Sequence, residues 1–522
     1  MNRRDLLLGL GAASLVGCAS APPLHPIVAP PSAAGPLPPL AATPASPSAK
    51  IVYFAQFGVD ERMIREALAA AMAKGGDYAD VFFQHRVVRS MALEDGAVNR
   101  AFANVELGVG VRVVKGDQTG YGYTEDLTVE GVRKAAATAA AIADGPATPA
   151  PLAFHAVDGV PSRYAIRRPW DQVSSEEFLP ILRGLNERTL AADKRIQKVQ
   201  TGIDAEQSVV LVADSNGRLV EDIQPSTSLW LGCVAEQKGR REENSKNIAG
   251  RADISFYSPE RLGKLIKDTV DRTLILFEAS AVPAGEMPVV MAAGSSGILL
   301  HEAIGHGMEA DFNRKNVSIY ADRIGKPIAK PFVSIVDDGS IDGSRGAINV
   351  DDESNVAGKT VMVENGKLAT YLHDSISAKH YGVNPTGSGR RENYRFAPLP
   401  RMRATYMLPG PHKKDEILAS VKKGIYCQNF TNGQVRIGAG DFTFYVKNGW
   451  MIEDGKLTRP IKDVNIIGNG PKVLEDTDMV ADDMEIDEGG WMCGKNGQSV
   501  PVSLGIPTVR VAKITVGGSK AS

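Results

Sequence analysis

The chain has 522 residues, with 59 Lys and Arg against 61 Asp and Glu, a formal charge of −2. Acids and bases are interspersed, so composition implies no basic face for nucleic acid. The roughly 470 residues beyond position 50 are ample for two or three domains.

At the N-terminus, Arg3-Arg4 precede an apolar run from Leu6 to Val16. This is the charged and hydrophobic pair of regions of a signal peptide, and the run is too short to span a bilayer as a helix. It ends in Leu15-Val16-Gly17-Cys18, which resembles a bacterial lipobox. A signal over 1–18 with lipidation at Cys18 is expected to hold the protein at a membrane surface. The arginine pair resembles a twin-arginine export signal, although Leu6 stands where that pattern prefers phenylalanine. Residues 19–50 are dense in Pro, Ala and Ser and read as a semi-extended linker. The expected location is therefore periplasmic and lipid-anchored.

Residues 51–280 read as an α/β domain. Asp60 has the character of an N-cap, and Met63, Ile64, Ala67, Leu68, Ala71 and Met72 follow at helical spacing before Gly75. Tyr78 to Val88 reads as a strand, and Lys115-Gly116-Asp117 joins two β-forming runs as a hairpin. Thr128 opens an alanine-rich helix, Ser174 and Glu177 have capping-box spacing, and Ser258-Pro259 starts a further helix. These apolar stripes predict core. Gly108 to Arg112 is glycine-rich but lies in a strand pattern, so it is not read as a phosphate loop. Cys233 falls in the predicted strand Leu229 to Val234 as a small buried residue, and His85 and His155 receive no role.

Residues 281–522 read as a β-rich domain carrying one metal-binding helix. Val289 to Ala292 predicts a strand, and Ser295 or Ser296 is the expected cap of the helix that follows. His301-Glu302-Ala303-Ile304-Gly305-His306 places two histidines and an acid within six residues in an apolar frame. Imidazoles bind zinc readily, and a carboxylate beside the metal can take a proton from bound water. The spacing is i, i+5, which on a regular helix sets the rings about 140° apart. Both reach one ion if the helix carries a π-type bulge or unwinds at Gly305. A third ligand must come from elsewhere. Cys493, in the glycine-dense Gly489 to Gln498 stretch, supplies one and leaves a fourth position open, as in a catalytic zinc site. Glu309 and Asp311 are nearby candidates to orient the ligands.

Further along, Asn365-Gly366, Asn432-Gly433, Asn448-Gly449 and Asp454-Gly455 each separate β-forming runs, a hairpin signal. One such hairpin pairs Phe442–Val446 with Trp450–Ile452. Arg390, Arg391 and Arg401 lie in a punctuated loop, where a solvated or structural role outweighs capture of a substrate carboxylate. His373, Asp374 and His380 have a spacing that invites a second metal but match no ligand pattern. A Cys233–Cys427 disulfide is left open.

The stretch from His301 to Asp311 resembles the HExxxH motif of the TldD branch of the TldD/PmbA metalloprotease family, also called the modulator of DNA gyrase family. Similarity continues through Asn384 to Arg391, Pro400-Arg401-Met402, Asn432 to Val435 and Cys493 to Val502, and covers roughly residues 80 to 515. The resemblance implies zinc held by His301, His306 and Cys493, Glu302 as the catalytic residue, and a homodimer or a heterodimer with a metal-free relative. The expected function is zinc-dependent hydrolysis of unstructured peptides. The alternative is a non-catalytic peptide-binding or scaffold subunit, against which the intact His301, Glu302, His306 and Cys493 argue. A purely structural metal site is the other rival.

Overall fold

The computed structural model describes residues 50–151, 153–436 and 438–517, together with the backbone of Val16–Ser20. The signal peptide and linker expected over residues 1–50 otherwise lie outside the described residues. The architecture is α+β, with helices on an antiparallel sheet in the first half and a β-rich second half.

The first half is built on one sheet. Its long strands run in the order Gln118–Thr124, Ala97–Lys115, Tyr78–Glu94, Ile196–Asp214, Arg218–Gln237, and Arg240–Gly250 pairs with the last of them. The helices start where the sequence marks them. Asp60 accepts from the Met63 amide at 2.8 Å and opens Glu61–Ala71. Thr128 and Ser258 cap Val129–Ala140 and Pro259–Leu274, and the Ser174/Glu177 capping box precedes Phe178–Ala192. Each side-chain cap satisfies an amide that the helix itself cannot. Two of these helices, Glu61–Ala71 and Val129–Ala140, cover one end of the sheet, and Phe178–Ala192 and Pro259–Leu274 cover the other. Elsewhere Phe82, Val210, Val212 and Val220 pack against Val350 and Tyr394 of the second half.

In the second half, Asp441–Glu453, Lys456–Asn469, Val509–Gly517, Gly285–Met291 and Lys423–Arg436 pair in that order. Lys423–Arg436 then pairs back onto Asp441–Glu453 and closes a ring. Closure leaves no free edge within the ring. The long Lys423–Arg436 strand runs beyond its contact with Gly285–Met291, and there Val16–Ser20 joins its edge. Val16–Ser20 pairs on its other side with Trp491–Lys495, which turns back through Gln498–Pro501. A second sheet, built around Ile335–Asp338, Ala404–Met407 and Ser503–Ile506, packs beneath the predicted metal helix.

Two predicted hairpins are absent. Asn365-Gly366 and Asp454-Gly455 do sit at turns, with the positive φ values such turns need. Asn432-Gly433 and Asn448-Gly449 lie inside continuous strands, so Phe442–Val446 and Trp450–Ile452 belong to one strand rather than facing each other. The reason at Asn448 is tertiary. Its amide is buried, donating to the Arg272 carbonyl at 3.0 Å and accepting from Asn244 at 2.6 Å. Gly449 lies where a Cβ would come within 2.4 Å of the Tyr426 carbonyl. It is a glycine of close approach, not of a turn.

Candidate metal centre

The Gly285–Met291 strand leads into a short succession of helical turns: 3-10 at Ser295–Gly297, α at Ile298–Leu300, π at His301–Gly305 and 3-10 at His306–Met308. Neither Ser295 nor Ser296 caps this segment. Ser295 donates instead to the Gln428 carbonyl at 3.3 Å, and Ser296 is buried behind a glycine N-cap. Of the two sequence alternatives for the i, i+5 spacing, the π turn is the one realised. The His306 amide donates to the His301 carbonyl, five residues back, so both rings emerge on one face. Their centroids are 5.1 Å apart, with the planes nearly perpendicular. Gly305 belongs to this turn because a Cβ there would fall 2.0 Å from the Met402 sulfur.

Cys493 arrives from the opposite side on Trp491–Lys495, whose burial alternates and puts 491, 493 and 495 on one inward face. His301, His306 and Cys493 are completely buried, and one ligand atom from each lies within 4.8 Å of the others. Among the described residues no other such cluster is present; His373, Asp374 and His380 do not form one. Asp374 caps the Ser375–Tyr381 helix instead.

The hydrogen bonds show which nitrogen of His306 faces the cluster. Nδ1 meets the Glu309 carboxylate at 3.0 Å, leaving Nε2 3.5 Å from the Cys493 sulfur. Lys495 closes the back of the site, 3.1 Å from Glu309, 2.7 Å from Asp311 and donating to the Pro400 carbonyl at 3.0 Å. Arg401 donates to the Cys493 carbonyl and so anchors the strand that carries the thiol. Among the described residues neither nitrogen of His301 has a hydrogen-bond partner, though both are buried. An imidazole bare at both nitrogens is costly inside a protein unless it binds a further group. Burial works against a proton on His306, but the facing Cys493 and Glu309 outweigh it and raise the pKa well above the usual value. The pocket is therefore one that a cation completes. Two imidazoles and a thiol are a fitting donor set for zinc.

Glu302 is buried at the same turn, and a Cβ at Gly433 would lie 3.5 Å from its Cγ. The acid thus faces the Lys423–Arg436 strand beside the edge taken by Val16–Ser20. Residue 18 stands directly between Cys493 and Gly433 in the strand register.

Sequence reasoning did not assign Lys495 a role. Its signal was available, two residues from Cys493 and hence on the same face of a strand. Arg390, Arg391 and Arg401 are buried and committed to the fold, Arg390 through the Met402 and Pro501 carbonyls and Arg391 through Asp80. Cys233 and Cys427 are free thiols, so no Cys233–Cys427 bond is present.

Profiles described as PmbA/TldA metallopeptidase domain 1, central domain and C-terminal domain match residues 79–143, 168–277 and 284–518. A protein of Haemophilus influenzae named metalloprotease TldD homolog is 38% identical over 450 residues, covering 85% of this chain and 93% of its own. One of Saccharolobus solfataricus, named zinc metalloprotease TldD homolog, is 34% identical over 294 residues, covering 56% of this chain and 65% of its own. The structure of TldE from Thermococcus kodakarensis shares the fold, with a TM-score of 0.67 at 17% identity over 88% of this chain and 99% of that one. With its three segments matched in order, and a relative this similar along nearly its whole length, the chain belongs to the TldD/PmbA metallopeptidase family.

Proposed function

We propose that this protein is a zinc-dependent metallopeptidase acting on unstructured peptides, with His301, His306 and Cys493 as zinc ligands and Glu302 as general base and acid. The observation that carries this reading is the buried cluster itself, with His301 bare at both nitrogens among the described residues, beside His306 Nε2 and Cys493 Sγ. A zinc ion held there would supply Lewis-acid polarisation and a water of lowered pKa. Glu302 takes the proton from the attacking water and returns it to the leaving amine. Glu309 holds His306 by Nδ1 and thereby keeps Nε2 directed at the cluster. Lys495 balances the Glu309 and Asp311 carboxylates in the absence of solvent.

The sheet supports the substrate class. The edges of Lys423–Arg436 and Trp491–Lys495 bracket a strand antiparallel to both, opposite Cys493. A slot of this kind holds a chain through its main-chain groups and selects extended peptides with little regard to sequence. The protein's own Val16–Ser20 lies in it. Export with cleavage before Cys18, the reading supported by the arginine pair, the apolar run and the lipobox, shortens that strand by its first two residues and anchors the enzyme by lipid. A dimer, with a second copy or with a metal-free relative, completes the proposal. The fold shared with a protein named TldE supports the latter.

The test is Glu302→Gln. Its zinc content should match wild type while hydrolysis of an unstructured peptide falls. Undiminished hydrolysis in that variant removes Glu302 from the mechanism.

A further inference from the structure

A cavity of about 500 Å³ opens between the two halves of the molecule, beside the slot just described. Its walls come from Arg218–Gln237 and Arg240–Gly250 on one side and from Lys423–Arg436 and Asp441–Glu453 on the other. The strand register shows how it connects to the metal centre. Val16 lies opposite Val435 and Ala19 opposite Asn432, and the next residues of that strand, Thr431 and Phe430, line the cavity. On the other edge Ser20 lies opposite Trp491, which also lines it. An extended peptide with the polarity of Val16–Ser20 therefore passes Cys493 and delivers its C-terminal side into this cavity.

Four cations line the cavity: Lys198, Lys246, Arg272 and Lys447. Three of them have carboxylate partners. Lys198 meets Asp95 at 3.6 Å, Lys447 meets Asp463 at 3.3 Å, and Lys246 is paired with Asp268. The Arg272 guanidinium has no hydrogen bond or ion pair among the described residues, although it is half-buried. The acids nearest it in charge are taken. Asp487 accepts from the Trp491 indole at 2.6 Å and the Gly489 amide at 3.1 Å, and Asp268 also holds Lys264 at 2.7 Å. The remaining acid of the wall, Glu243, is exposed. The backbone at Arg272 is held firmly, since its carbonyl accepts from Asn244 at 3.1 Å and Asn448 at 3.0 Å. Burial lowers its pKa despite Asp487 and Asp268, the signature of a cation short of counter-charge.

A half-buried guanidinium on a firmly held backbone, with no partner among the described residues, matches a carboxylate in geometry and charge. We propose that Arg272 is a carboxylate-binding group of the cleft, receiving a carboxylate on the C-terminal side of the bound peptide. The carboxylate is the peptide's own terminus or an acidic side chain near it. This rests on the reading of the slot as a peptide site but not on the peptide being cut. A terminal carboxylate held here makes the enzyme favour the ends of chains; a side chain makes it favour acidic segments.

The test uses the purified full chain carrying Glu302→Gln, so that binding is read without turnover. Three peptides of one polar sequence are titrated calorimetrically: the free acid without acidic side chains, its C-terminal amide, and that amide with one glutamate. The free acid should bind roughly tenfold more tightly than the plain amide, the order expected for one charge-assisted contact. Arg272→Ala should abolish that difference, and Arg272→Lys should restore part of it. If the glutamate amide matches the free acid, either carboxylate is received; if only the glutamate amide exceeds the plain amide, the side chain is the source. Equal binding of all three peptides, no binding of any, or a preference that survives Arg272→Ala overturns the proposal. Should Arg272→Ala lose zinc or melt early, Arg272→Gln replaces it. Failure of the peptidase reading shows separately, as absence of cleavage by the wild-type chain.

Discussion

Two buried polar clusters in this molecule invite comparison. One joins the halves: Arg112 meets Asp80 at 2.5 Å and Glu353 at 2.7 Å, Arg391 meets Asp80 at 3.2 Å, and Glu353 accepts from the Ser375 amide at 2.7 Å. The other is the His301, His306 and Cys493 cluster. Both are sealed from solvent, but only the first answers its charges from within the protein. In the second, His301 has no partner for either nitrogen among the described residues. Buried polarity thus has two meanings here. A closed network holds domains in register, whereas an open one is shaped around a group that it binds.

Substitutions sharpen this contrast in descending order of effect. Glu302→Gln should cost activity by about 10²- to 10⁴-fold, the range for a lost general base, with no change in melting temperature. Arg112→Ala should do the reverse. It leaves buried Glu353 without a cation and Asp80 with Arg391 alone, and should lower stability by about 3–5 kcal/mol, read by denaturant unfolding. A melting curve indistinguishable from wild type would show that the interdomain network is not closed. Glu309→Gln removes the carboxylate behind His306 and should weaken zinc affinity by roughly 10- to 100-fold, measured by competition with a chelator.

The smallest effect concerns pH. Burial pushes the Asp222 carboxyl up to about 6, against hydrogen bonds from Asn349 and Gln224 that favour the charged form. A folded pKa above the unfolded value means that folding takes up a proton. This contribution is full below about pH 4 and is lost as pH rises through 6. Asp222→Asn should therefore flatten the pH dependence of stability between about 4 and 6. Near neutral pH it should gain on the order of 1–2 kcal/mol relative to wild type. A steeper dependence in the variant would reverse the sign of this argument.

How much of this was legible in the sequence depends on how local the signal is. The helix caps at Asp60, Thr128 and Ser258 were readable because a cap is a matter of three residues. The i, i+5 spacing of His301 and His306 already demanded either a π turn or unwinding, and the fold uses the first. Asn432-Gly433 and Asn448-Gly449 misled because the hairpin signal is blind to partners far along the chain. Asn448 is held by Asn244 and Arg272, and no pattern near residue 448 records that. Ring closure by Lys423–Arg436, the Lys495 contact behind Glu309 and the lack of a partner for the Arg272 guanidinium among the described residues are likewise tertiary facts. The sequence could name the residues but not what they would face.

The most direct test of the central claim is the metal content of the chain, purified without chelator, for wild type and Cys493→Ser side by side. About one zinc per chain in the wild type, falling sharply in the variant, is the predicted result. A wild-type protein without zinc, or a variant that keeps all of it, would contradict the assignment of this cluster as the metal centre.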